Sequence, residues 1–313
     1  MNKGLALSLL LVVAALPGLA NAADEEGPGY SRKGADTCLG CHDDSWVPPL
    51  LGIFQTKHGN PHDARAPFGE RQHQCEACHG PGGAHTGRVK RGTPRPPMIK
   101  FGSEKQDETP IPTQNGMCLT CHEGHVGEAW AGSAHDMNNL SCADCHSVHA
   151  PSDPMLARET QDEQCFACHI DAKGDFFKPY AHPVRQGKLA CTDCHSPHGS
   201  TNDKMLVRSN INETCYSCHA DKRGPLVWEH APVQDDCTHC HQAHGAVHPS
   251  LLTQRPPLLC QSCHSPAGHP SVPHTPDGLA DGSASAFLLS GSCLNCHQQV
   301  HGSNHPSGKA LMR

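Results

Sequence analysis

Apolar positions along the chain are concentrated in one run near the amino terminus and are otherwise scattered. The run extends from Leu5 to Leu16, and no later run approaches a membrane-spanning length. Elsewhere Gly and Pro, 30 and 27 residues, interrupt longer helical patterns, and alternating strand-like segments are nearly absent. The pattern therefore predicts a fold that is mostly coil with short α-helices and almost no β-structure.

The first 22 residues have the order of features typical of a cleaved secretory signal. Lys3 precedes the apolar run, Pro17 breaks it, and residues 20–22 (ANA) provide small side chains for cleavage. A transmembrane anchor is the alternative, but it requires about 20 apolar residues, more than the run contains. The mature protein is therefore expected to begin near Ala23 and to be located in the periplasm.

Aromatic residues are too few to fill the core of an ordinary domain of this length, with 3 Trp, 3 Tyr and 7 Phe in 313 residues. Something other than side chains is expected to occupy the interior. The formal net charge of −7 argues against nucleic acid as a partner. One short basic cluster, Arg88, Lys90, Arg91 and Arg95, is interpreted as part of a solvated linker.

All 20 cysteines belong to ten copies of one five-residue pattern, C-x-x-C-H. The cysteine pairs, numbered motif 1 to motif 10 in chain order, are Cys38 and Cys41, Cys75 and Cys78, Cys118 and Cys121, Cys142 and Cys145, Cys165 and Cys168, Cys191 and Cys194, Cys215 and Cys218, Cys237 and Cys240, Cys260 and Cys263, and Cys293 and Cys296. The histidines that complete the motifs are His42, His79, His122, His146, His169, His195, His219, His241, His264 and His297.

This pattern is the attachment signature of c-type haem. On a helical turn, residues three positions apart lie on one face, so both thiols can form thioethers to one edge of the same macrocycle. The next histidine then comes under the iron as its proximal ligand. Zinc sites and disulfides also use paired cysteines, but neither requires a histidine after every second cysteine. Ten c-type haems are therefore predicted, and they supply the apolar bulk that the side chains lack.

Seventeen of the 27 histidines lie outside the motifs. In the segment CTDCHSPHG, His198 follows the proximal His195 by three residues and cannot reach the far face of the same haem, so it is expected to bind another iron. Consecutive motif pairs form units 1 to 5, each with an early histidine before its second motif and a late histidine after it. The predicted distal ligands, early then late in each unit, are His58 and His85, His135 and His149, His182 and His198, His230 and His244, and His269 and His301.

Other histidines leave alternatives open. His305 competes with His301, and His274 competes with His269. His125 has the same three-residue offset from its motif as His198 and could replace one of the chosen ligands. The histidines expected to be ordinary polar residues are His62, His73, His125, His239 and His248.

The motif pairs form an internal repeat, with first motifs starting at residues 38, 118, 165, 215 and 260. This repeat indicates one continuous domain, residues 23–313, an extended array in which each unit packs on its neighbours through shared haems. The long first step contains a Gly/Pro-rich linker or surface loop, 80–116, and a second loop, 268–291, precedes motif 10.

The ligand supply favours an electron-transfer protein over an enzyme. Two histidines at every iron leave no position for a substrate. Catalytic multihaem reductases keep one iron open, commonly with lysine in place of the motif histidine, and no C-x-x-C-K occurs in this chain. No catalytic residue is therefore predicted.

Four segments carry a resemblance to a known family over essentially the whole mature length. They are YSRKGADTCLGCH, QCEACHGPGGAH, TCYSCHADKRGPLVWEHAPV and SCLNCHQQVHGSNHPSG. The chain resembles the periplasmic decahaem cytochromes of the MtrA/DmsE type, with their PioA and MtoA relatives. All ten predicted distal histidines and His305 match positions of that family, whereas His62 and His125 are not part of its pattern.

The resemblance implies an electron conduit through the outer membrane. The cytochrome would sit in an outer-membrane β-barrel partner, with a periplasmic or inner-membrane cytochrome as donor and an outer-surface multihaem cytochrome or reductase on the other side. Extracellular metal oxides, iron or an extracellular reductase would exchange the electrons, in a direction that the sequence does not set. The alternative is a freely diffusing periplasmic carrier or store, and a multihaem reductase is disfavoured by the ligand count.

Overall fold

The computed structural model describes residues 29–43, 45, 50–102, 109–265 and 292–312. The expected signal, 1–22, and the predicted loop 268–291, which contains His269 and His274, lie outside these ranges. The α-helices of the described residues are α1 Ala35–Leu39, α2 Glu76–His79, α3 Gly83–Thr86, α4 Ile111–His122, α5 Glu128–Trp130, α6 Ala134–Met137, α7 Cys142–Cys145, α8 Gln161–Phe166, α9 Ile170–Phe176, α10 Ile211–Tyr216, α11 Ala231–Asp235 and α12 Leu258–Gln261.

Shorter helical turns connect these elements. A π-helical turn, Glu123–Gly127, follows α4 directly. The 3-10 turns are Leu51–Gln55, Pro154–Leu156, Cys191–Asp193, Asp203–Met205, Ala220–Lys222, Cys237–His239, Pro249–Leu251, Cys293–Asn295 and Gly308–Ala310.

First and second motifs of a unit occupy different kinds of helix. First motifs lie in or at the ends of α1, α4, α8, α10 and α12, whereas second motifs lie on single turns. Polar residues begin several of these turns: the Asp236 carboxylate accepts a hydrogen bond from Thr238 N at 2.7 Å, and Ser292 Oγ accepts one from Leu294 N at 3.3 Å. Such caps satisfy amides that a short helix leaves unpaired, which explains how single turns are stabilised.

The two strands of the described residues form one antiparallel sheet, and three isolated β-bridges accompany it. Strand β1, Tyr180–Ala181, pairs antiparallel with β2, Gly245–Ala246, in the register Tyr180 to Ala246 and Ala181 to Gly245. A Cβ atom at Gly245 would collide with the backbone oxygen of Asp175, so this position requires glycine. The sheet joins unit 3 to unit 4 beside the early His182 and the late His244. The predicted fold class, mostly coil with short helices and almost no β-structure, is confirmed.

The segment predicted as a linker is more structured than expected. Helix α4 begins at Ile111, inside the predicted range 80–116, because Pro112 suits the first turn of a helix, where no amide donor is needed. Arg95 of the basic cluster is also not simply solvated, since its guanidinium donates to the backbone oxygens of His85 and Gly87.

The apolar core of the described residues is small. Its one cluster of buried apolar side chains consists of Phe166, Phe176 and Val184, against which Ala181 and Leu189 pack. Several fully buried side chains are polar, and Gln114 is 1% exposed. Helix packing of this kind cannot by itself stabilise a chain of this length, which agrees with the scarcity of aromatic residues. No helix in the described ranges is both long and apolar enough to cross a membrane.

Candidate haem-binding sites

Each motif folds as one closed helical turn. The backbone amide of the motif histidine donates to the carbonyl of the first cysteine, at 2.9 Å for His42 and Cys38 and at 3.0 Å for His241 and Cys237. The same bond recurs from His79, His146, His169, His195, His219, His264 and His297, and the turn of motif 3 lies inside α4. This bond holds both thiols and the imidazole on adjacent positions of one turn, as covalent haem attachment requires.

Within each unit, the first cysteines of the two motifs lie against each other. Their side chains lie next to each other in five pairs: Cys38 with Cys75, Cys118 with Cys142, Cys165 with Cys191, Cys215 with Cys237, and Cys260 with Cys293. None of the twenty cysteines forms a disulfide in the structure. Burial raises the pKa of the Cys75 thiol to about 12.

Between units, the second cysteines are neighbours. Four pairs lie near each other in this way: Cys78 with Cys121, Cys145 with Cys168, Cys194 with Cys218, and Cys240 with Cys263. First cysteines are thus close within a unit, and second cysteines are close across each boundary between units. The ten attachment turns therefore adjoin one another in the order of the sequence, from motif 1 to motif 10, without a gap.

Buried side-chain amides fasten the two motifs of the middle units together. Asn115 Oδ1 accepts from Cys142 N at 2.9 Å, and Asn212 Oδ1 accepts from Cys237 N at 2.8 Å. In unit 3, Gln161 Oε1 accepts from Thr192 N at 3.1 Å. The sequence analysis missed these residues, although an amide three or four positions before the first cysteine is the signal they share.

Nine histidine pairs bring a motif histidine and a predicted distal histidine opposite each other. The distances between ring centroids are 6.3 Å for His42 and His85, 6.0 Å for His58 and His122, 6.2 Å for His79 and His149, 6.1 Å for His135 and His169, 6.0 Å for His146 and His198, 6.2 Å for His182 and His219, 6.1 Å for His195 and His244, 6.0 Å for His230 and His264, and 6.1 Å for His241 and His301.

These separations fit two imidazoles on opposite sides of one metal ion. A metal–imidazole nitrogen bond is about 2.0–2.1 Å, and the ring centre lies roughly 1 Å further out, so two such ligands have centroids about 6 Å apart. Nine pairs within a narrow range of distances are not expected of surface histidines. The residues present therefore fit haem iron with two axial histidines.

The pairs follow a rule that connects neighbouring units. An early histidine faces the first motif of the next unit, as His135 of unit 2 faces His169 of unit 3. A late histidine faces the second motif of the preceding unit, as His198 of unit 3 faces His146 of unit 2. At the amino-terminal end, His85 faces His42 of its own unit.

Hydrogen bonds at Nδ1 fix the orientation of many of these rings. Among the motif histidines, His79 donates to Ile99 O at 2.8 Å, His195 to Lys204 O at 2.9 Å, His241 to Ser250 O at 2.8 Å and His297 to Ala310 O at 2.6 Å. Among the distal histidines, His85 donates to Pro96 O at 2.8 Å, His135 to Pro197 O at 2.7 Å, His182 to Ala243 O at 2.5 Å and His230 to Val300 O at 2.9 Å. A carbonyl can only accept, so Nδ1 carries the proton and Nε2 is left for a metal.

The segment around a late histidine has two functions, as residues 197–199 show. The carbonyl of Pro197 orients His135, while the next residue, His198, faces His146. Gly199 follows with φ +120, and a Cβ atom there would collide with the backbone oxygen of Ala129. The sequence PHG therefore packs closely against unit 2 and positions two histidines for two neighbouring irons.

Burial disfavours the charged form of four of the late histidines. Desolvation is the main cause that lowers the pKa of His149, His198, His244 and His301, with the facing motif histidine as a further cause. The pKa of His58 is lowered in the same way. A neutral imidazole has the lone pair that a metal requires.

The remaining predicted positions have other surroundings. His301, and not His305, faces His241; the His305 ring accepts from Ser307 N at 3.2 Å instead. His62 is exposed, and the His73 ring stacks on the Tyr30 ring with 3.7 Å between the ring centroids. His239 Nε2 and Asp235 Oδ2 are 3.0 Å apart. Nδ1 of His248 is buried without a hydrogen-bond partner. His269 and His274, the candidates for motif 10, lie outside the described residues, as does the side chain of His125.

An array of attachment turns with facing histidines defines a multihaem c-type cytochrome. Two family models match parts of the chain: the doubled CXXCH motif at residues 182–224 and 230–269, and the NrfB-like cytochrome c-type protein at residues 75–160. The first model's two matches begin at His182 and His230, early histidines that face His219 and His264 within the same matches.

Similarity to one relative covers almost the whole chain. The chain is 46% identical over 286 residues, 91% of its length, to multihaem cytochrome MtrA of Shewanella baltica (strain OS185), 83% of which is covered. It is 26% identical over 193 residues, 54% of its length, to cytochrome c-type protein NrfB of Haemophilus influenzae, again with 83% covered. The chain belongs to the MtrA family of multihaem cytochromes. The predicted family is confirmed, and so is the prediction of an electron-transfer protein rather than an enzyme.

Proposed function

We propose that this protein is a decahaem electron conduit across the outer membrane. The observation that carries the proposal is that the attachment turns neighbour one another in unbroken order from motif 1 to motif 10. Electron transfer needs redox groups in near contact, and a single file of attachment turns supplies such contacts along the whole array. Each haem, when bound, would supply a one-electron Fe(III)/Fe(II) couple.

The ten haems would be attached through the twenty motif cysteines and ligated by the ten motif histidines. The facing rings support nine proposed distal ligands: His85 for motif 1, His149 for motif 2, His58 for motif 3, His198 for motif 4, His135 for motif 5, His244 for motif 6, His182 for motif 7, His301 for motif 8 and His230 for motif 9. His297 of motif 10 would take His269, with His274 as the alternative.

The protein supplies position and insulation rather than a reaction site. A motif histidine and the histidine opposite it would together hold the iron and leave no position there for substrate or water. Because eight of the nine facing histidines belong to a unit other than the one they would ligate, breaking one contact between units would disturb the ligation of two irons. This cross-linking keeps the redox groups at fixed separations while electrons pass in either direction.

The partners follow from the family relationship. We propose that an outer-membrane β-barrel encloses the cytochrome, which the segment 1–22 directs to the periplasm. A periplasmic or inner-membrane cytochrome would exchange electrons at one end, and an outer-surface multihaem cytochrome or reductase at the other. A freely diffusing periplasmic carrier would need the same array but no barrel.

A liposome assay tests the conduit. Liposomes that enclose a reduced redox dye are prepared with the cytochrome and its barrel partner, with the barrel alone, and with the cytochrome alone, and an external ferric acceptor that cannot cross lipid is added. We expect rapid dye oxidation only when both proteins are present. If oxidation with both proteins is no faster than with the barrel alone, while the haem content is intact, the conduit is refuted in favour of the soluble carrier.

A further inference from the structure

One motif histidine has a different partner from its counterparts in the other units. His79, His195, His241 and His297, all in second motifs, donate from Nδ1 to backbone carbonyls. His146 of motif 4 donates instead to the carboxylate of Asp153, with 2.6 Å between Nδ1 and Oδ2. The Asp153 side chain is 14% exposed.

The internal repeat shows how the difference arises. In units 3 and 4 the acceptor is the carbonyl nine residues after the motif histidine, at Lys204 and Ser250, and both residues have positive φ, 56° and 57°. This unusual backbone conformation turns the carbonyl toward the imidazole. In unit 2 the corresponding residue, Met155, is not among the residues with positive φ. Asp153, seven residues after His146, supplies the acceptor instead.

The carboxylate is held at both oxygens. Oδ2 accepts from His146 Nδ1, and Oδ1 accepts from Met155 N at 3.0 Å, which caps the turn Pro154–Leu156. Gln161 Nε2 in turn donates to Met155 O at 3.0 Å. Asp153 therefore sits in a fixed geometry rather than forming a chance surface contact.

The physical consequence concerns the iron that His146 would bind. A hydrogen bond to a charged acceptor is stronger than one to a neutral carbonyl. It draws the Nδ1 proton away from the ring and makes Nε2 a better electron donor to the metal. Stronger donation stabilises Fe(III) relative to Fe(II), which lowers the reduction potential.

We infer that Asp153 is a positioning residue that makes the haem of motif 4 harder to reduce than the haems whose second-motif histidines face carbonyls. The inference rests on the proposed ligation of that haem by His146 and His198. The array would then contain a low-potential position at its fourth member, so that electrons reside preferentially on the haems to either side of it.

The test compares two substitutions in the full-length haem-loaded protein. Asp153→Asn keeps an oxygen that can cap Met155 N but removes the charged oxygen that accepts from His146. Asp203→Asn is the matched control, because Asp203 is exposed beside the corresponding turn of unit 3, while His195 bonds to the carbonyl of Lys204 and not to the Asp203 side chain. Optical redox titration and low-temperature EPR at defined potentials provide the readout, and His198→Met marks which EPR signal belongs to motif 4.

We expect Asp153→Asn to shift the Fe(III)/Fe(II) ratio of the motif 4 haem at least tenfold toward Fe(II) at a fixed potential, which is about 59 mV for one electron. The EPR signal of that haem should change while those of the other haems stay in place, and Asp203→Asn should leave the motif 4 signal unchanged. Equal effects of both variants, or a small uniform shift of all haems, would overturn the inference.

A second measurement covers the case in which Asp153→Asn loses haem. In the unchanged protein, the motif 4 signal should still be ferric at potentials where the haems of motifs 6 and 8 are mostly reduced. Reduction together with those haems would overturn the inference and leave the conduit intact. A high-spin signal of the motif 4 haem in the unchanged protein would overturn the proposed ligation itself, and this inference with it.

Discussion

Asn212 offers a direct test of how the two motifs of a unit are held together. Its buried amide makes three hydrogen bonds: Oδ1 accepts from Cys237 N at 2.8 Å, and Nδ2 donates to Val233 O at 3.0 Å and to Gln234 O at 3.1 Å. Replacement by Ala removes all three and leaves their backbone partners without a substitute in a buried place. At roughly 1 kcal/mol for each bond, we expect the local opening free energy of unit 4 to fall by about 2 to 4 kcal/mol.

Hydrogen exchange of the backbone reports this loss where it occurs. Because about 1.4 kcal/mol corresponds to a factor of ten, the Cys237 amide should exchange roughly 30- to 1000-fold faster in Asn212→Ala than in the unchanged protein. Asn212→Asp keeps the acceptor for Cys237 N but turns an oxygen toward two carbonyls, so its effect should be at least as large. Mass spectrometry of peptides that span α11 and motif 8 gives the rates.

Asn138→Ala is the matched control, since Asn138 is exposed and its side chain donates only to Ala134 O, at 2.7 Å within its own turn. We expect a change of less than about 1 kcal/mol there. If exchange at motif 8 in Asn212→Ala stays within threefold of the unchanged protein, the amide does not hold the motifs together and the reasoning fails.

Three further predictions address the histidine pairs and the core. His301→Ala should produce a high-spin ferric EPR signal and carbon monoxide binding at one haem, whereas His305→Ala should leave all spectra unchanged, and the opposite result would reverse the assignment. Gly199→Val should weaken ligation at two irons, those of motifs 4 and 5. A side chain at position 199 would collide with Ala129 O and displace both His198 and the Pro197 carbonyl that orients His135. A high-spin signal at only one of these two irons would contradict the shared role of this segment. Chain produced without haem attachment should lack a cooperative thermal transition by circular dichroism, because the apolar cluster around Phe166 and Phe176 is too small, and a sharp transition would show that the side chains suffice.

The sequence predicted the fold class because its signals are local. Helix-stopping Gly and Pro residues and the five-residue motif act over one or two turns, so short helices at the motifs could be expected without tertiary information. It did not predict that α4 starts within the presumed linker, nor that Ile99 and Pro96 of the same segment orient His79 and His85. Those contacts bring together residues 20 and 11 positions apart, and no short-range pattern specifies them.

The buried amides that fasten the two motifs of a unit show a similar limit of sequence-based prediction. Asn115, Gln161 and Asn212 precede their motifs at related distances, but each acts on a residue 25 to 31 positions further along the chain. An Asn or Gln three or four residues before a cysteine motif is also common on an exposed helical turn with no such function. Only the observed bond to the second motif identifies its function.

By itself, the sequence determined where the ten attachment motifs lie and which histidine completes each of them, because the two cysteines and the histidine lie on one helical turn and need no distant partner. Only the tertiary structure decided which distal histidine faces which motif. His301 and His305 are four residues apart, yet His301 faces His241, since Val300 O holds His230 and Gly302 packs against Leu226 and Trp228. The pairing of early histidines with the next unit and late histidines with the preceding one is a property of how units stack, and stacking depends on contacts between residues distant in the chain.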